Sequence, residues 1–199
     1  MISALVAARD GADRLSEEEL TSMVMLLTVA GHETTVNLLG NGTAALLSHP
    51  DQLDRLRAEP ELLPRAVEEL LRYVTPIQAT FPVVGTEDVE VEGVTIAAGE
   101  VILPAVLAAN RDPAYVEDPD TLDITRSPKP HLGFGPGPHH CLGASLARLE
   151  ARIGFAALLE RYPDLSLAVD PSELTWQPNV IFQGLAGLPV RVGKPGSPQ

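Results

Sequence analysis

Residues 131–143 read His131-Leu132-Gly133-Phe134-Gly135-Pro136-Gly137-Pro138-His139-His140-Cys141-Leu142-Gly143 and contain the only cysteine of the 199-residue chain. Glycine adopts backbone angles that other residues avoid and proline fixes φ, so this run suits neither a helix nor a strand. It predicts a rigid loop that presents Cys141 at or near the N-terminus of a following helix. The unpaired amides and positive dipole end of a helix favour a thiolate there. The alternative is that Cys141 is a small buried apolar residue.

Composition limits the class of protein. A hydrophobic fraction of 45% is typical of globular chains, and 199 residues correspond to one domain or part of a larger one. A single cysteine excludes an internal disulfide, and no apolar run reaches the roughly 18–20 residues of a membrane span. Residues 1–10 lack the features of a signal peptide, so a cytoplasmic location is expected. The net charge of −13 argues against nonspecific binding of nucleic acid.

A long helix is predicted over residues 16–48, because a Ser-Glu-Glu-Glu capping box opens the segment and no proline interrupts it. Residues 23–30 are apolar on every face, which predicts burial on all sides. The next turn adds Glu33, Thr34 and Thr35, whose polar groups cost free energy in an apolar environment. Residues that break local rules together indicate a functional site. The alternative is that the threonines bond back to helix carbonyls while the glutamate reaches solvent.

The rest of the chain predicts short helices and strands around an irregular segment, residues 110–130, which is rich in Asp and Pro. The expected helices cover three segments: 51–57, 61–73 and 143–161. The last of these has one apolar side, formed by Leu146, Leu149, Ile153, Ala156 and Leu159. Strand signals lie in four segments: 81–84, 89–91, 94–96 and 165–192. The expected fold class is mainly α with small β-sheets (α+β). Glu69 and Arg72 share a helix face and can pair, which alone is typical of a solvated surface.

Four separated motifs resemble the C-terminal half of a bacterial cytochrome P-450, a haem-thiolate monooxygenase, in that family's order. Residues 30–35, Ala-Gly-His-Glu-Thr-Thr, resemble the oxygen-activation segment of its long central helix. Glu69-Leu70-Leu71-Arg72 resembles its Glu-x-x-Arg motif, and Asp123-Ile124-Thr125-Arg126 resembles the segment whose arginine joins that pair. Residues 134–143 resemble the haem-ligand signature. The resemblance covers residues 1 to about 192 and leaves 193–199 as an expected flexible tail.

The resemblance implies where haem b is held. Cys141 would be the axial ligand of the haem iron, and Phe134 would pack near its sulfur. Gly135 would let the backbone approach the sulfur closely, and His139 matches a position that often binds a haem propionate. Two small residues of the long helix would also border the cofactor: Ala30 and Gly31.

The resemblance also implies separate catalytic and structural groups. Glu33 and Thr34 would form the family's acid–alcohol pair, which delivers protons during dioxygen activation. Glu69, Arg72 and Arg126 would form a buried charge network that fixes the cysteine loop. These roles would account for polar groups that otherwise only cost free energy in an apolar helix.

The implied activity is insertion of one oxygen atom into a small apolar organic substrate, by hydroxylation or a similar reaction. Electrons would come from a ferredoxin or similar donor with an NAD(P)H-dependent reductase, and neither nucleic acid nor a membrane is an expected partner. Arg148 and Arg152 could form a basic docking patch for an acidic donor; the alternative is that they only solvate the outer face of their helix. Segments 76–81 and 180–184 would remain from the substrate side.

The chain departs from the family's pattern at several points. Family members are about twice as long, Val83 stands where an arginine is usual, and Leu122 stands where a phenylalanine is usual. An alternative interpretation is therefore a non-catalytic haem-binding remnant or an interaction module. A third interpretation is a zinc site formed by His131, His139, His140 and Cys141, although three consecutive side chains rarely converge on one ion.

Overall fold

The computed structural model describes residues 15–194. Five α-helices lie in this part of the chain: α1 (Glu17–Ser48), α2 (Pro50–Ala58), α3 (Leu63–Tyr73), α4 (Val106–Ala109) and α5 (Ala144–Arg161). Three antiparallel strand pairs accompany them: β1 (Val83–Val84) with β4 (Val101–Ile102), β2 (Val89–Val91) with β3 (Val94–Ile96), and β5 (Ser166–Leu167) with β6 (Val190–Arg191). The predicted fold class is confirmed. The expectations for residues 1–14 and 195–199 lie outside the described residues.

Helix α1 begins where the capping box predicts. The Glu19 amide donates to the Ser16 hydroxyl oxygen at 3.2 Å, and the Ser16 amide donates to a Glu19 carboxylate oxygen at 2.8 Å. These bonds satisfy two amides, one of which the helix start would otherwise leave without a partner. The helix then continues for 32 residues, about 48 Å at 1.5 Å per residue. Helices α2 and α3 also follow the prediction, except that a 3₁₀ turn (Pro60–Leu62) precedes α3.

Burial along α1 differs from the prediction. Residues 23–30 are not buried on every side, because Met25 is 69% exposed, Leu26 61% and Val29 56%. The buried residues of α1 lie between Asn37 and Leu46, where α3 and α5 pack against it. An apolar helix needs apolar neighbours, but the described residues supply them along only the C-terminal part of α1.

The core lies between this C-terminal part of α1, α3 and α5. Its largest fully buried apolar side chains include Phe155, Leu38, Leu46, Leu70, Leu122 and Ile124. Gly42 allows α1 to approach α5, since a Cβ at this position would lie 2.6 Å from Cζ of Phe155. Burial of each large apolar side chain contributes ~1.5–3 kcal/mol, so this cluster fixes the two helices relative to each other.

Most of the apolar side of helix α5 faces away from the core. Leu146, Leu149 and Ile153 are 51%, 47% and 61% exposed. The buried residues of α5 are Ala144, Ala151 and Phe155. Small residues let α5 lie close to α1, and helical periodicity alone does not tell which of two apolar sides a core will take.

The connecting segments are short strands and irregular loops. Strands β2 and β3 form the predicted hairpin, whose turn residues Glu92 and Gly93 have φ of 50° and 78°. Positive φ at both positions is typical of the tight turns that match the twist of a hairpin. Residues 110–130 contain neither helix nor strand, as predicted. Within residues 15–194, no helix combines the length and the apolar character needed to cross a membrane.

Candidate active site

Residues 131–143 form a compact loop, called the cysteine loop below. It contains two 3₁₀ turns, Leu132–Phe134 and Gly137–His139. Gly135 and Gly137 have φ of 69° and 71°, angles that favour glycine. The Cys141 amide donates to the Phe134 carbonyl oxygen at 2.8 Å and closes the loop on itself. The predicted rigid loop is therefore present.

Cys141 is an exposed free thiol three residues before the start of α5. Its carbonyl oxygen accepts a hydrogen bond from the Ala144 amide at 3.2 Å, so the loop leads directly into the helix. The structure thus places the cysteine at a helix N-terminus, as predicted. Because the side chain is exposed, the interpretation of Cys141 as a small buried apolar residue is wrong, and its sulfur is accessible to a ligand.

The histidines of the cysteine loop have separate surroundings. Nδ1 of His131 accepts from a loop amide at 3.1 Å, so Nε2 carries the proton and donates to Glu68 at 3.2 Å. Nδ1 of His140 donates to a loop carbonyl at 2.8 Å. His139 is exposed at the end of the second 3₁₀ turn. No three His, Cys, Asp or Glu side chains come together as metal ligands in residues 15–194, so the zinc interpretation is wrong.

The segment 30–35 of α1 lies beside α5. The Thr35 hydroxyl donates to a carboxylate oxygen of Glu150, on α5, at 3.1 Å. Ala30 is exposed, and a Cβ built at Gly31 would meet no atom within 4 Å. The hydrogen bond from Thr35 connects α1 to α5, the helix that follows Cys141. Separately, the surface over Ala30 and Gly31 is open.

Glu33 and Thr34 are adjacent and half-buried. The Thr34 hydroxyl donates to the Ala30 carbonyl oxygen at 2.7 Å, which is the back-bonding of the alternative interpretation. Glu33 does not simply reach solvent, because one of its carboxylate oxygens accepts from the Asn37 side chain at 3.2 Å. Glu33 and Thr34 therefore place a carboxylate and a hydroxyl on a face of α1 that the described residues only partly cover.

The structure brings Glu69, Arg72 and Arg126 together. Arg72 donates from Nε and Nη2 to the two carboxylate oxygens of Glu69, at 2.9 and 2.7 Å. Nε of Arg126 lies 3.3 Å from one of the same oxygens. Glu69 is 6% exposed and Arg72 is 5% exposed, so this is not a solvated surface pair. Two-point pairs of arginine with carboxylate are among the stronger hydrogen-bonded contacts in proteins.

The two arginines also hold the irregular segment that precedes the cysteine loop. Nη1 of Arg72 donates to the Pro119 carbonyl oxygen at 2.8 Å and to that of Asn110 at 3.2 Å. Nη1 of Arg126 donates to the Glu117 carbonyl oxygen at 2.6 Å. Residues 110–126 therefore fold around the charge network, which supplies hydrogen bonds that a helix or strand would otherwise provide.

Sequence reasoning missed Asn110, which links α3 to the cysteine loop. This residue is 3% exposed. Its Nδ2 donates to the Thr75 hydroxyl oxygen at 2.8 Å, and its Oδ1 accepts from the Leu132 amide at 2.7 Å. An asparagine directly after an apolar run is a weak signal for such a role, because its partners lie 35 and 22 positions away.

Sequence reasoning also assigned no role to Glu68. Arg148 donates to its two carboxylate oxygens from Nε and Nη2, at 2.6 and 3.0 Å. Burial raises the pKa of Glu68, but the hydrogen bonds from His131 and Arg148 outweigh it and lower the pKa to about 2. The pairing with Glu68 offsets the charge of Arg148, which weakens the predicted docking patch. Arg152 is exposed and donates to the Arg148 carbonyl oxygen.

Two residues that depart from the family's pattern occupy different environments. Val83 lies on β1, opposite Ile102 of β4, and is 50% exposed. Leu122 is 1% exposed and belongs to the apolar core. A leucine at this position is therefore accommodated by packing, whereas Val83 offers no charge to a propionate.

The segments assigned to the substrate side lie next to each other. The Gln78 amide donates to the Ile181 carbonyl oxygen at 2.8 Å, and the Gln183 amide donates to that of Pro76 at 2.9 Å. Nδ2 of Asn41, on α1, donates to the Gln183 carbonyl oxygen at 2.7 Å. The central helix and both segments thus form one connected unit.

The donor set of this site fits a haem group. One exposed sulfur is present, with no second and third metal ligand beside it in residues 15–194. Haem iron suits such a site, because the porphyrin supplies the other nitrogen ligands and the protein needs to supply only an axial group such as thiolate. A single exposed sulfur on a glycine loop is thus compatible with axial ligation of haem iron.

Comparisons with known proteins agree. Residues 1–173 match the family model for Cytochrome P450, and the chain belongs to this family. It is 50% identical over 194 residues to the polyketide biosynthesis cytochrome P450 PksS of Bacillus subtilis (strain 168), covering 98% of this chain and 48% of PksS. It is 52% identical over 195 residues to the cytochrome P450 monooxygenase PikC of Streptomyces venezuelae, covering 96% of this chain and 46% of PikC.

Solved structures give the same result. The monooxygenase TamI bound to tirandamycin C superposes with a TM-score of 0.91 at 48% identity, over 96% of this chain and 48% of TamI. The chain spans about half the length of the relatives that it matches. Members of this family bind haem b. PikC and TamI are monooxygenases by name.

Proposed function

We propose that this chain carries the haem-binding part of a bacterial-type monooxygenase, which inserts one oxygen atom from dioxygen into a small apolar organic substrate. The observation that carries the proposal is the exposed Cys141 thiol, presented by a closed glycine loop at the N-terminus of α5. The relatives PksS and PikC, which are 50% and 52% identical to this chain over the matched residues, support it.

When bound, haem supplies dioxygen activation, and a thiolate ligand favours O–O cleavage by donating electron density. Sγ of Cys141 would be the iron ligand. Its amide is already bonded to the Phe134 carbonyl oxygen, which restricts the positions that the sulfur can take. The exposed imidazole of His139 would hold a propionate, and Ala30 and Gly31 leave room for a flat group beside α1.

Glu33 and Thr34 supply protons in this proposal. The Thr34 hydroxyl carries a proton at Oγ1, and the neighbouring Glu33 carboxylate, half-buried on the same helix, can exchange protons with solvent. Glu69, Arg72 and Arg126 act structurally, because they hold residues 110–126, which lead into the cysteine loop.

We propose polyketide-type compounds as the substrate class, on the basis of the relatives whose names refer to polyketide biosynthesis and to 6-deoxyerythronolide B. Electrons are proposed to come from a ferredoxin or similar donor with an NAD(P)H-dependent reductase. Arg152 remains a candidate contact for an acidic donor, since it is exposed on α5.

The ferrous carbonyl spectrum tests the ligand assignment. The haem-loaded protein is expected to show the red-shifted band of thiolate ligation, and C141S is expected to lose it. H140N is the matched control, because it changes the neighbouring side chain and leaves the sulfur. Persistence of the band in C141S contradicts the assignment, and a folded protein that takes up no haem favours the interaction-module alternative.

The T34A variant tests the proton role. We expect oxygen consumption without a matching yield of product, because proton delivery at Oγ1 is lost. Thr28 is a matched control, since its hydroxyl makes the same back-bond, to the Val24 carbonyl oxygen at 2.7 Å, six residues earlier on α1. T28A should keep normal coupling, and normal coupling in T34A contradicts the role.

A further inference from the structure

We propose that Glu68 is a positioning residue for Cys141, which acts by holding Arg148 against Phe134 and His131 beside it. The functional consequence rests on the proposed haem-thiolate chemistry, whereas the contacts themselves do not. Glu68 lies outside the Glu-x-x-Arg motif and touches neither the thiol nor the residues assigned to proton delivery.

The first link joins α3 to α5. Glu68, on α3, receives two hydrogen bonds from the guanidinium of Arg148, on α5, at 2.6 and 3.0 Å. A carboxylate that accepts hydrogen bonds from two nitrogens of one guanidinium fixes the plane of that group as well as its position. The Arg148 side chain is 34% exposed and that of Glu68 is 25% exposed, so water only partly competes for this contact.

The second link joins Arg148 to the cysteine loop. Cζ of Arg148 lies 4.5 Å from the centroid of the Phe134 ring, within the range of a cation–π contact. The carbonyl oxygen of Phe134 accepts the hydrogen bond from the Cys141 amide. The position of the arginine therefore constrains the residue to which the cysteine backbone is bonded.

A second branch starts from the same carboxylate. Glu68 accepts from Nε2 of His131 at 3.2 Å, and the ring of His131 lies 5.7 Å from that of Phe134. The His131 side chain is 5% exposed. Phe134 is thus held on two sides by groups that share one carboxylate, and removal of that carboxylate frees both.

Besides restraining the position of the cysteine loop, Arg148 brings a positive charge to it. The pKa of the Arg148 guanidinium is raised, most strongly by its hydrogen bond to Glu68; burial opposes this, and the charges of Glu68 and Cys141 add to the increase. Arg148 is therefore a cation held over the Phe134 ring, and Glu68 both orients its guanidinium and partly neutralises its charge. The proposal expects Glu68 to influence electron donation by the sulfur without touching it.

Hydrogen exchange in the haem-free protein tests the positioning role directly. E68Q keeps the shape of the side chain and removes its charge, and R148Q removes the cation. Both are expected to speed exchange of the non-proline amides of residues 132–143 by about tenfold or more, because charge-assisted hydrogen bonds that restrain the loop are lost. R152Q is the matched control, since it removes the same charge one turn further along α5 and should leave loop exchange unchanged.

Two further comparisons separate positioning from a general loss of stability. Exchange of the Ala168 amide, which donates to the Pro189 carbonyl oxygen at 2.9 Å, should stay at its wild-type rate in every variant. R148K keeps the charge but not the two-point geometry, so it should restore loop protection only in part. Unchanged loop exchange in both E68Q and R148Q, or equal acceleration at Ala168, overturns the proposal.

The ferrous carbonyl spectrum of the haem-loaded variants is the second readout. E68Q and R148Q are expected to convert from the red-shifted thiolate form to the form without thiolate faster than R152Q does, by about threefold or more. Equal conversion rates overturn the effect on the sulfur. If the wild-type protein takes up no haem, the proposed function fails, while the exchange result still decides whether Glu68 positions the loop.

Discussion

Glu68 and Glu69 are neighbours on α3, yet they serve two different networks. Glu69 is buried and pairs with Arg72 and Arg126, which hold the irregular segment. Glu68 is a quarter exposed and pairs with Arg148 and His131 at the cysteine loop. Consecutive helix residues point about 100° apart, so one turn of α3 reaches both regions. One carboxylate therefore acts on the fold of the chain and the other on the position of a single loop.

Because Glu69 is more deeply buried than Glu68, its replacement is expected to lower the free energy of unfolding by more. Removal of one partner from a buried, hydrogen-bonded charge set leaves the other charges without compensation in a poorly solvated place. Removal of a partly exposed partner lets water take part of its role. The loss of stability in each variant is therefore expected to follow the burial of the carboxylate whose contacts it removes.

Glu69→Gln is expected to lower the free energy of unfolding by ~3–5 kcal/mol, because Arg72 and Arg126 lose the charge that they share. Chemical denaturation followed by circular dichroism measures this loss. Glu61→Gln is a matched control, since this carboxylate lies in the 3₁₀ turn before α3 and is exposed. A loss below about 1 kcal/mol for Glu69→Gln would show that the network is not a determinant of the fold.

Arg126→Gln is expected to cost less, ~1–3 kcal/mol, since Glu69 keeps its two-point pair with Arg72. The same denaturation experiment measures it, and limited proteolysis should show faster cleavage within residues 117–126, whose carbonyls lose their donor. Protection equal to wild type in this segment would contradict the assigned role of Arg126.

The acid stability of the protein is expected to depend on Glu68. Its pKa is about 2 in the folded protein, against an ordinary value of 4.5. A carboxyl whose pKa is lowered by folding stabilises the protein above the ordinary pKa, and this contribution is lost as pH falls from about 4.5 through 2. After allowance for solvent screening, we expect ~1–2 kcal/mol.

Denaturation of wild type and E68Q between pH 7 and pH 2.5 measures this contribution. The difference between them should be constant at neutral pH and should shrink below pH 4.5. Other carboxyls, such as Asp123, whose pKa is also lowered because hydrogen bonds from Thr125 outweigh burial, titrate in both proteins and cancel. A difference that stays constant to pH 2.5 would contradict the lowered pKa of Glu68.

The sequence allowed the Glu69 network to be predicted and gave no indication of the Glu68 network, for a physical reason. Glu69 and Arg72 share a helix turn, and the third member, Arg126, was identified through a family motif. Arg148 lies 80 positions from Glu68 and His131 lies 63 positions away, so no local spacing connects them. Such contacts depend on how α5 crosses the core, which periodicity did not decide.

The same limit explains the wrong burial prediction for residues 23–30 of α1. Apolar side chains do lie along residues 23–30 of α1 and the outer side of α5. Their pattern predicts that something packs against them, but it does not tell whether the packing partner lies within the described residues. The relatives are about twice as long as this chain, and the described residues cover only part of these surfaces. Element boundaries depend on local signals such as the Ser16 capping box, and they were predicted well for that reason.

The smallest effect is expected for the exposed pair of Arg55, on α2, with Glu59, directly after it. The paired atoms lie 3.4 Å apart, and the side chains are 50% and 44% exposed. Glu59→Gln should change the free energy of unfolding by ~0.5 kcal/mol or less, because water replaces the contact and side-chain freedom is regained. Denaturation at low and at high salt checks this value. Because Glu68 is partly buried, Glu68→Gln is expected to lower the free energy of unfolding more than Glu59→Gln does, and this larger loss should persist in high salt. Equal losses at neutral pH would mean that the contact of Glu68 with the cysteine loop stabilises the protein no more than a surface ion pair does.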